Sequence, residues 1–348
     1  MMNFRLFFIP VCLLALSSSA RASTKTAYPK TCKPFRLDQP AGSMERIPVH
    51  DQQDLGICGA YSAADMIDAW RFSHGDTRYS WFTSPLEAAV DGSKKYKQSV
   101  LLGHDGVYAF PFEGVDECVV VNYIAKSGSC DSQAIEKKLG PANYDTVLPW
   151  YKSYLMLAKS PNEACTSDGN ACQTPTPISI ENAVTISSPL LYFQAITTEA
   201  CEAGERIPIS IPGCKESDIN GPGQFEEVMS KHFDTLLDKA QPLTIGYCSG
   251  LLEEGRGFRG LVTAMHGNPP RKRRLCRGYD DQDEDDDGGH SSLVMGRRWN
   301  GKKCQILIKN SWGTDDDDYS DDWKTEDGKI WVDQDDLEQN VFDVSYIQ

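Results

Sequence analysis

Beyond its first 22 residues, the sequence lacks any apolar segment long enough to cross a lipid bilayer. This absence excludes membrane-spanning helices from the rest of the chain. Positive charge is also scarce, because 35 Lys and Arg stand against 50 Asp and Glu, a formal net charge of −15. Nucleic-acid binding depends on Lys and Arg that neutralise phosphates, so we expect no nucleic-acid partner. No internal repeat is evident in the 348 residues, a length that fits one large domain or two lobes with a shared core.

The first 22 residues have the order of a cleavable secretory signal. Met1–Arg5 carries one positive charge, Leu6–Leu16 is almost wholly apolar, and the segment closes with Ala20-Arg21-Ala22. This order predicts a signal peptide over 1–22, with an apolar part too short to span a membrane. We therefore expect a secreted protein, extracellular or periplasmic, without membrane insertion. Residues 23–49 are polar and predict an extended lead-in.

The cysteine count fits an oxidising compartment. Of 12 cysteines, Cys12 leaves with the predicted signal, so 11 remain, an odd number. Ten can form five disulfides, and one thiol is then left over. The loop-rich segment Asn162–Gly223 contains two close pairs, Cys165/Cys172 and Cys201/Cys214, whose spacing favours local bridges, although the connectivity cannot be deduced.

Hydrophobic periodicity predicts a helical first part and a strand-rich last part, which indicates an α+β protein. The predicted helices begin near Cys58 and cover Val119–Lys126 and Phe225–Lys239. The predicted strands are Leu243–Tyr247, Ser292–Met295, Gln305–Lys309 and Lys329–Asp333, the last of which follows a hairpin turn at Asp327-Gly328.

The main chemical signal is the segment 51–62, which reads DQQDLGICGAYS. A cysteine at the start of a helix faces free N–H groups and the positive end of the helix dipole, so we expect a lowered pKa for the Cys58 thiol. Gln52, six residues upstream, can donate its side-chain N–H to an oxyanion together with the backbone N–H of Cys58. A buried structural cysteine that opens a core helix is the alternative interpretation of this segment.

A second segment supplies groups that could activate this thiol. His290 stands at the start of an apolar strand, and Asn310 follows 20 residues later (310 − 290) in the run Asn310-Ser311-Trp312-Gly313. A histidine can take the thiol proton, and an asparagine oxygen can fix the orientation of the histidine ring. Trp312 can shield that hydrogen bond from water.

These motifs resemble those of the papain family of cysteine peptidases. The resemblance implies that Gln52 stabilises the oxyanion, Cys58 is the nucleophile, His290 is the general base and acid, Asn310 orients it and Trp312 shields the pair. Gly114 resembles the glycine whose backbone pairs with bound peptide. The resemblance covers 50–348 in outline and is specific in the two motif regions. It implies a peptide or protein substrate, a monomer, and neither a cofactor nor a metal.

The same resemblance implies a two-lobed papain-like fold, with the active-site cleft between a helical left lobe and a β-barrel-like right lobe. We expect the helical lobe over about 50–240, with a Cys-rich insertion at about 160–220. The strand-rich lobe is expected over about 241–348.

The sequence departs from the family pattern in four places. Gly59 replaces the tryptophan that usually follows the nucleophile, and Leu55 replaces a usually bridged cysteine. The gap from Cys58 to His290 is 232 residues (290 − 58), against roughly 130–150 in papain-like enzymes, which predicts large insertions. Residues 23–50 are too few for the usual inhibitory prosegment, so activation must work in another way or not be needed. Substrate specificity is left open.

Two acidic runs lie near this machinery in sequence. Asp280–Asp287 has seven acids in eight positions, and Asp315–Asp318 with Asp321 and Asp322 follows Trp312. A solvated loop is one interpretation. Calcium is another, but the glycine and closing glutamate of a calcium-binding helix–loop–helix are missing. Our hypothesis is that the runs make the cleft rim acidic and favour basic peptides through steering that salt screens.

Two other functions are compatible with the same motifs. A cell-wall peptide amidase also places cysteine before histidine, although its smaller core lacks a residue like Gln52 together with Asn-Ser-Trp-Gly. A papain-like binding protein without activity is the other alternative; the presence of all four catalytic positions argues against it, whereas Gly59 and the insertions keep it open.

Overall fold

The computed structural model describes residues 32–52, 56–96, 116–139, 197–198, 200–201, 206–235, 241–266, 271–277, 288–315 and 317–348. Several predictions fall outside these residues: the signal peptide over 1–22, Gly114, the Cys165/Cys172 pair and the acidic run Asp280–Asp287. Most of the predicted Cys-rich insertion, up to residue 196, also falls outside them.

Most of the described helices lie in the first part of the chain, and two short ones lie among the strands of the last part. The helices are α1 (Cys58–Ser73), α2 (Pro85–Tyr96), α3 (Glu117–Ser127), α4 (Ser132–Leu139), α5 (Gln224–Thr235), α6 (Gly250–Glu254) and α7 (Gln334–Glu338). The first three pack on one another, and α1 also packs against the sheet. The helix predicted near Cys58 is therefore confirmed as α1, which is buried along nearly its whole length.

The strands form one large antiparallel sheet and one separate hairpin. They are β1 (Phe35–Arg36), β2 (Cys214–Asp218), β3 (Leu243–Cys248), β4 (Leu261–His266), β5 (Arg271–Cys276), β6 (Gly289–Trp299), β7 (Cys304–Lys309), β8 (Lys324–Glu326), β9 (Lys329–Asp333) and β10 (Val341–Ile347). The sheet order is β2-β10-β3-β6-β7-β9-β8, with β1 paired to the far end of β6, while β4 and β5 pair with each other.

This architecture confirms the α+β class, but the predicted barrel is wrong. Among the described strands, the edge strands β2 and β8 do not pair with each other, so the sheet stays open. The order has a simple cause: β3, β6 and β7 are long, apolar and buried, and they occupy the centre of the sheet. The outer strands β2 and β8 are short and polar.

The predicted hairpin at Asp327-Gly328 is confirmed as the connection between β8 and β9. Both turn residues have positive φ, 50° and 72°, the conformation that a tight two-residue hairpin demands. The loop-rich interpretation of Asn162–Gly223 is wrong at its end, because Cys214–Asp218 pairs with β10 as strand β2. Backbone pairing with β10 forms this strand, which the polar sequence did not predict.

Four disulfides connect distant parts of the described chain. They are Cys32–Cys304, Cys118–Cys214, Cys130–Cys201 and Cys248–Cys276. The local Cys201/Cys214 bridge that the spacing favoured is therefore wrong. Cys214 lies on β2 against α3 and pairs with α3 instead. In the part of the chain that the structure describes, Cys58 is the cysteine without a disulfide partner.

None of the described helices combines enough length with enough apolar character to cross a membrane.

Candidate active site

Cys58 is the first residue of α1 and is half-buried. Burial raises the pKa of its thiol to about 11, and the nearby Glu117 carboxylate adds to the rise. Hydrogen bonds from the backbone N–H groups of Ser291, Gly59 and Cys58 itself lower the pKa, but by less. The expected fall in pKa is therefore wrong. The N–H groups at the helix start act as predicted, but desolvation of the thiolate outweighs them.

This balance predicts how fast Cys58 reacts at different pH values. Only the thiolate is alkylated, and a pKa of about 11 keeps the thiol protonated at pH 7. We expect the rate of Cys58 alkylation by iodoacetamide to rise about tenfold per pH unit between pH 6 and 9. Intact-mass kinetics on the oxidised protein measures it, with Cys58→Ala as the blank. A rate that is already maximal at pH 6 would show a preformed thiolate instead.

His290 and Asn310 come together at the ends of two neighbouring strands. His290 is the second residue of β6, and Asn310 follows β7, which pairs with β6. The ring nitrogen Nε2 of His290 lies 2.6 Å from Oδ1 of Asn310, and both side chains are buried. Since an amide oxygen only accepts, Nε2 carries the proton and Nδ1 has the free lone pair in the neutral ring. Burial lowers the pKa of His290 to about 4, which keeps the ring neutral.

The Asn310 amide is held in one orientation by its partners. Its Oδ1 also accepts hydrogen bonds from the Ser311 backbone N–H, at 2.8 Å, and from Ser292 Oγ, at 3.1 Å. Its Nδ2 donates to the Tyr319 hydroxyl at 3.2 Å. A flipped amide would place donors against donors, so these partners fix Oδ1 toward His290.

Ser292, Tyr319 and Tyr247 are positioning residues that the sequence interpretation missed. Because the single Ser292 proton goes to Asn310, the Tyr247 hydroxyl donates to Ser292 Oγ, at 3.0 Å. Ser292 could have been found, since it lies two residues after His290 and so on the same face of β6. Tyr319 follows an acidic run and carries no sequence signal of its own.

Trp312 covers the histidine from one side. Its ring centroid lies 4.9 Å from that of His290, and its other neighbour is Tyr319, which stacks on it at 5.6 Å. The Tyr247 ring meets His290 edge-on at 5.6 Å from a different direction. The imidazole thus has aromatic neighbours that limit access of water to the His290–Asn310 bond.

Gln52 reaches the same region from the chain segment before α1. Its backbone N–H donates to the Ser311 carbonyl at 2.7 Å, and its Oε1 accepts from Ser311 Oγ at 2.5 Å. The side chain is buried, so Ser311 fixes the plane of the Gln52 amide. Ser311 is a further positioning residue that lay unnoticed inside the Asn-Ser-Trp-Gly run.

Part of the second acidic run lies beside Trp312 and Tyr319. A cavity of about 790 Å³ is lined by Asp51, Glu253, Trp312, Asp315, Asp317, Asp318 and Tyr319. Asp322 is instead held in an ion pair with Arg256 at 3.2 Å. The acidic cleft rim stays a prediction, and the acidic residues that line this cavity support it.

One group of potential metal ligands stands elsewhere in the described residues. Glu87, Cys130 and Cys201 lie close together, but the two cysteines form a disulfide and offer no thiolate. The Glu87 carboxylate accepts from the Cys130 N–H and pairs with Arg206. This group therefore has the contacts of a buried ion pair and not those of a metal site.

No protein-family model matches the sequence, and no curated protein matches it. Similar solved structures include xylellain, a cysteine protease from Xylella fastidiosa, at 15% identity and a TM-score of 0.45 over 90% of this chain and 85% of that one. A cysteine protease from Carica candamarcensis is 14% identical, with a TM-score of 0.42 over 90% and 97%. Procathepsin L2 from Tenebrio molitor is 16% identical, with a TM-score of 0.42 over 93% and 69%. At these values the likeness says nothing about the activity of this chain.

Proposed function

We propose that the protein is a secreted cysteine peptidase with a papain-like arrangement of two lobes. The observation that carries the proposal is the buried hydrogen bond between His290 and Asn310. The residue after His290 in β6, Ser291, donates its backbone N–H to the Cys58 thiol. The proposal combines a nucleophile at the start of α1 with a base of defined tautomer and an orienting amide on the sheet. A structural cysteine would need none of the partners around His290.

In the proposed reaction, Cys58 Sγ attacks the carbonyl carbon of a peptide bond. Because thiol and imidazole are both neutral at pH 7, Nδ1 of His290 takes the thiol proton as the bond forms. The tetrahedral intermediate collapses, the C–N bond breaks and His290 returns the proton to the leaving amine. Water, deprotonated by His290, then hydrolyses the thioester and regenerates the Cys58 thiol.

The oxyanion of the intermediate is assigned to Gln52 and the backbone N–H of Cys58. Ser311 supports this role because it fixes the Gln52 amide by two hydrogen bonds. Preformed donors of this kind act mainly on the transition state, where negative charge develops on the carbonyl oxygen.

Removal of the Gln52 side chain should therefore change kcat more than KM. For Gln52→Ala we expect kcat to fall by about 10²- to 10³-fold, with KM within about threefold. Steady-state kinetics on one fluorogenic peptide measures both constants, and Gln133→Ala, an exposed glutamine on α4, is the matched control. A Gln52→Ala enzyme with unaltered kcat would remove Gln52 from the oxyanion site.

The compartment and the remaining assignments are part of the same proposal. The four disulfides of the described chain are typical of proteins that fold in an oxidising compartment, which supports secretion. The two lobes over about 50–240 and 241–348, the monomeric state and the peptide-pairing role of Gly114 are proposed with it.

The test of the function is a digest of a peptide library by the purified mature protein, read by mass spectrometry. We expect new peptide ends that appear with wild type and are absent with Cys58→Ala. Cleavage confined to bacterial cell-wall peptides would favour the amidase. Specific binding of peptides without cleavage, under reducing conditions, would favour the inactive binding protein.

A further inference from the structure

A row of three residues crosses the sheet beside the thiol. Asp343 of β10 pairs with Gly246 of β3, which pairs with Ser291 of β6. The Asp343 carboxyl folds over Gly246 and accepts its backbone N–H at 3.0 Å. A Cβ at Gly246 would overlap this carboxyl and the Phe342 ring, so a side chain here would displace Asp343 from the row.

Helix α3 and strand β2 bring further carboxyls to this row. The Cys118–Cys214 disulfide ties the start of α3 to β2, and β2 pairs with β10. Asp116, which caps α3, and the buried Glu117 come from the helix, and β2 adds Glu216 at the exposed end. We call Asp116, Glu117, Glu216 and Asp343 the carboxyl cluster.

Among the described residues, no positive charge contributes to the pKa of Glu117 or Asp343, the inner members of the carboxyl cluster. Burial raises the pKa of Glu117 to about 7, and Asp116 and Glu216 add to the rise. Burial also raises the pKa of Asp343 well above its usual value, with Glu117 and Glu216 as further causes. On the outer side, Arg273 forms an ion pair with Asp218 at 3.7 Å, and its charge opposes the rise in the pKa of Glu216. A cation at the inner end would remove this repulsion.

A buried hydroxyl points to the same place. Ser291 is 5% exposed, and no described group makes a well-formed hydrogen bond to its Oγ. Its hydroxyl makes a hydrogen bond of poor geometry to Glu117, which opposes the rise in the pKa of that carboxyl. A buried hydroxyl without a well-formed bond is costly, so a ligand that offers hydrogen-bond donors here would be stabilised by Ser291 as well as by Glu117.

The position of Ser291 connects the carboxyl cluster to the proposed chemistry. Its backbone N–H donates to the Cys58 thiol, and the Glu117 charge reaches that thiol. A group bound in the cluster would therefore belong to a substrate residue close to the bond under attack. Among the described residues, the carboxylates of the cluster do not converge as closely as the ligands of one metal ion must, so a longer organic cation fits them better.

We propose, on the basis of the proposed peptidase function, that the carboxyl cluster binds an arginine or lysine side chain of the substrate next to the scissile bond. Arginine fits best, because its planar group offers five N–H donors to Glu117, Asp343 and the Ser291 hydroxyl together. This contact is local and buried, unlike the salt-screened attraction expected of the acidic rim.

The test compares internally quenched peptides that differ in one residue, arginine or norleucine, at each position around a fixed cleavage site. The full mature protein is assayed as wild type, Glu117→Gln and Asp343→Asn, with Glu227→Gln, an exposed glutamate on α5, as the matched loss of charge. At one position we expect kcat/KM to be at least about tenfold higher for arginine in wild type. Each cluster variant should lower this arginine-to-norleucine ratio by about tenfold, and Glu227→Gln should leave the ratio within about twofold.

The possible results distinguish a failure of this inference from a failure of the proposed peptidase function. Cys58-dependent cleavage of norleucine peptides with no arginine preference, or with a preference that both cluster variants keep, overturns the inference and leaves the peptidase intact. No Cys58-dependent cleavage of any peptide overturns both. If Glu117→Gln fails to fold, Asp343→Asn, at a half-buried position of β10, decides the result by the same ratio.

Discussion

Cys58→Ala is expected to lower kcat/KM for peptide hydrolysis by about 10⁵- to 10⁶-fold, because it removes the atom that forms the acyl intermediate. The loss should appear with little change in stability. Cys58 takes no part in a disulfide, and alanine is a good helix former at the start of α1. Fluorogenic peptide assays give the rate, and the urea midpoint of the oxidised protein gives the stability.

His290 provides the matched comparison for this result. His290→Gln should cost about 10³-fold or more, since the base is lost while the buried position keeps a polar group. His74→Gln, at the exposed end of the same helix α1, should leave kcat/KM within about twofold. Hydrolysis by Cys58→Ala within tenfold of wild type would assign the chemistry to another residue.

Asp65→Asn is expected to lower the free energy of unfolding by about 3–5 kcal/mol. Asp65 is buried in α1, with Oδ2 2.5 Å from Lys309 Nζ and Oδ1 3.1 Å from His50 Nε2. Burial alone would raise the pKa of Asp65, but the charges of Lys309 and His50 lower it below the usual value. Without Asp65, the buried Lys309 ammonium has lost its carboxylate, and the cost is that of an unpaired buried charge.

Urea unfolding at pH 7 measures this loss, with Asp321→Asn, an exposed aspartate, expected within about 0.5 kcal/mol of wild type. The double variant Asp65→Asn/Lys309→Met should recover part of the loss, because no charge stays unpaired. Since the folded-state pKa of Asp65 is lowered, its contribution is full above the ordinary aspartate pKa and is lost as pH falls through the folded value. An unchanged midpoint for Asp65→Asn would contradict the network.

The same ion pair links stability to the site. Asp65 lies seven residues after Cys58, two turns along α1 and on the same face, and Lys309 directly precedes Asn310. The pair therefore fixes the helix that carries the thiol against the strand that carries the amide. Loss of the pair should shift the thiol relative to His290 as well as weaken the fold.

The elements around the site could be predicted because local patterns determine them. The alanine-rich helix after Cys58, the apolar strand after His290 and the Asp327-Gly328 turn each have a period or a turn signal within a few residues. The candidate residues Gln52, His290 and Asn310 could also be predicted, because they lie inside short sequence motifs. Gly114 stays a prediction, because it lies outside the described residues.

Three other misses depend on residues distant in sequence. Cys214 pairs with Cys118, 96 positions away, because β2 lies against α3 in space, and no spacing rule shows this. The raised pKa of Cys58 depends on burial between α1 and β6, which a helix start does not reveal. The carboxyl cluster combines α3, β2 and β10, three segments that no single motif connects.

Whether Cys58 is the nucleophile of a peptidase is tested most directly by a titration with an epoxysuccinyl inhibitor in reducing, mildly alkaline buffer, where the thiolate is more populated. Intact mass and peptide mapping give the site and the amount of the adduct, and hydrolysis is followed in the same samples. We expect one equivalent of adduct, on Cys58, and a loss of hydrolysis in proportion to it. No adduct on Cys58, or full hydrolysis by the labelled protein, would exclude Cys58 as the nucleophile.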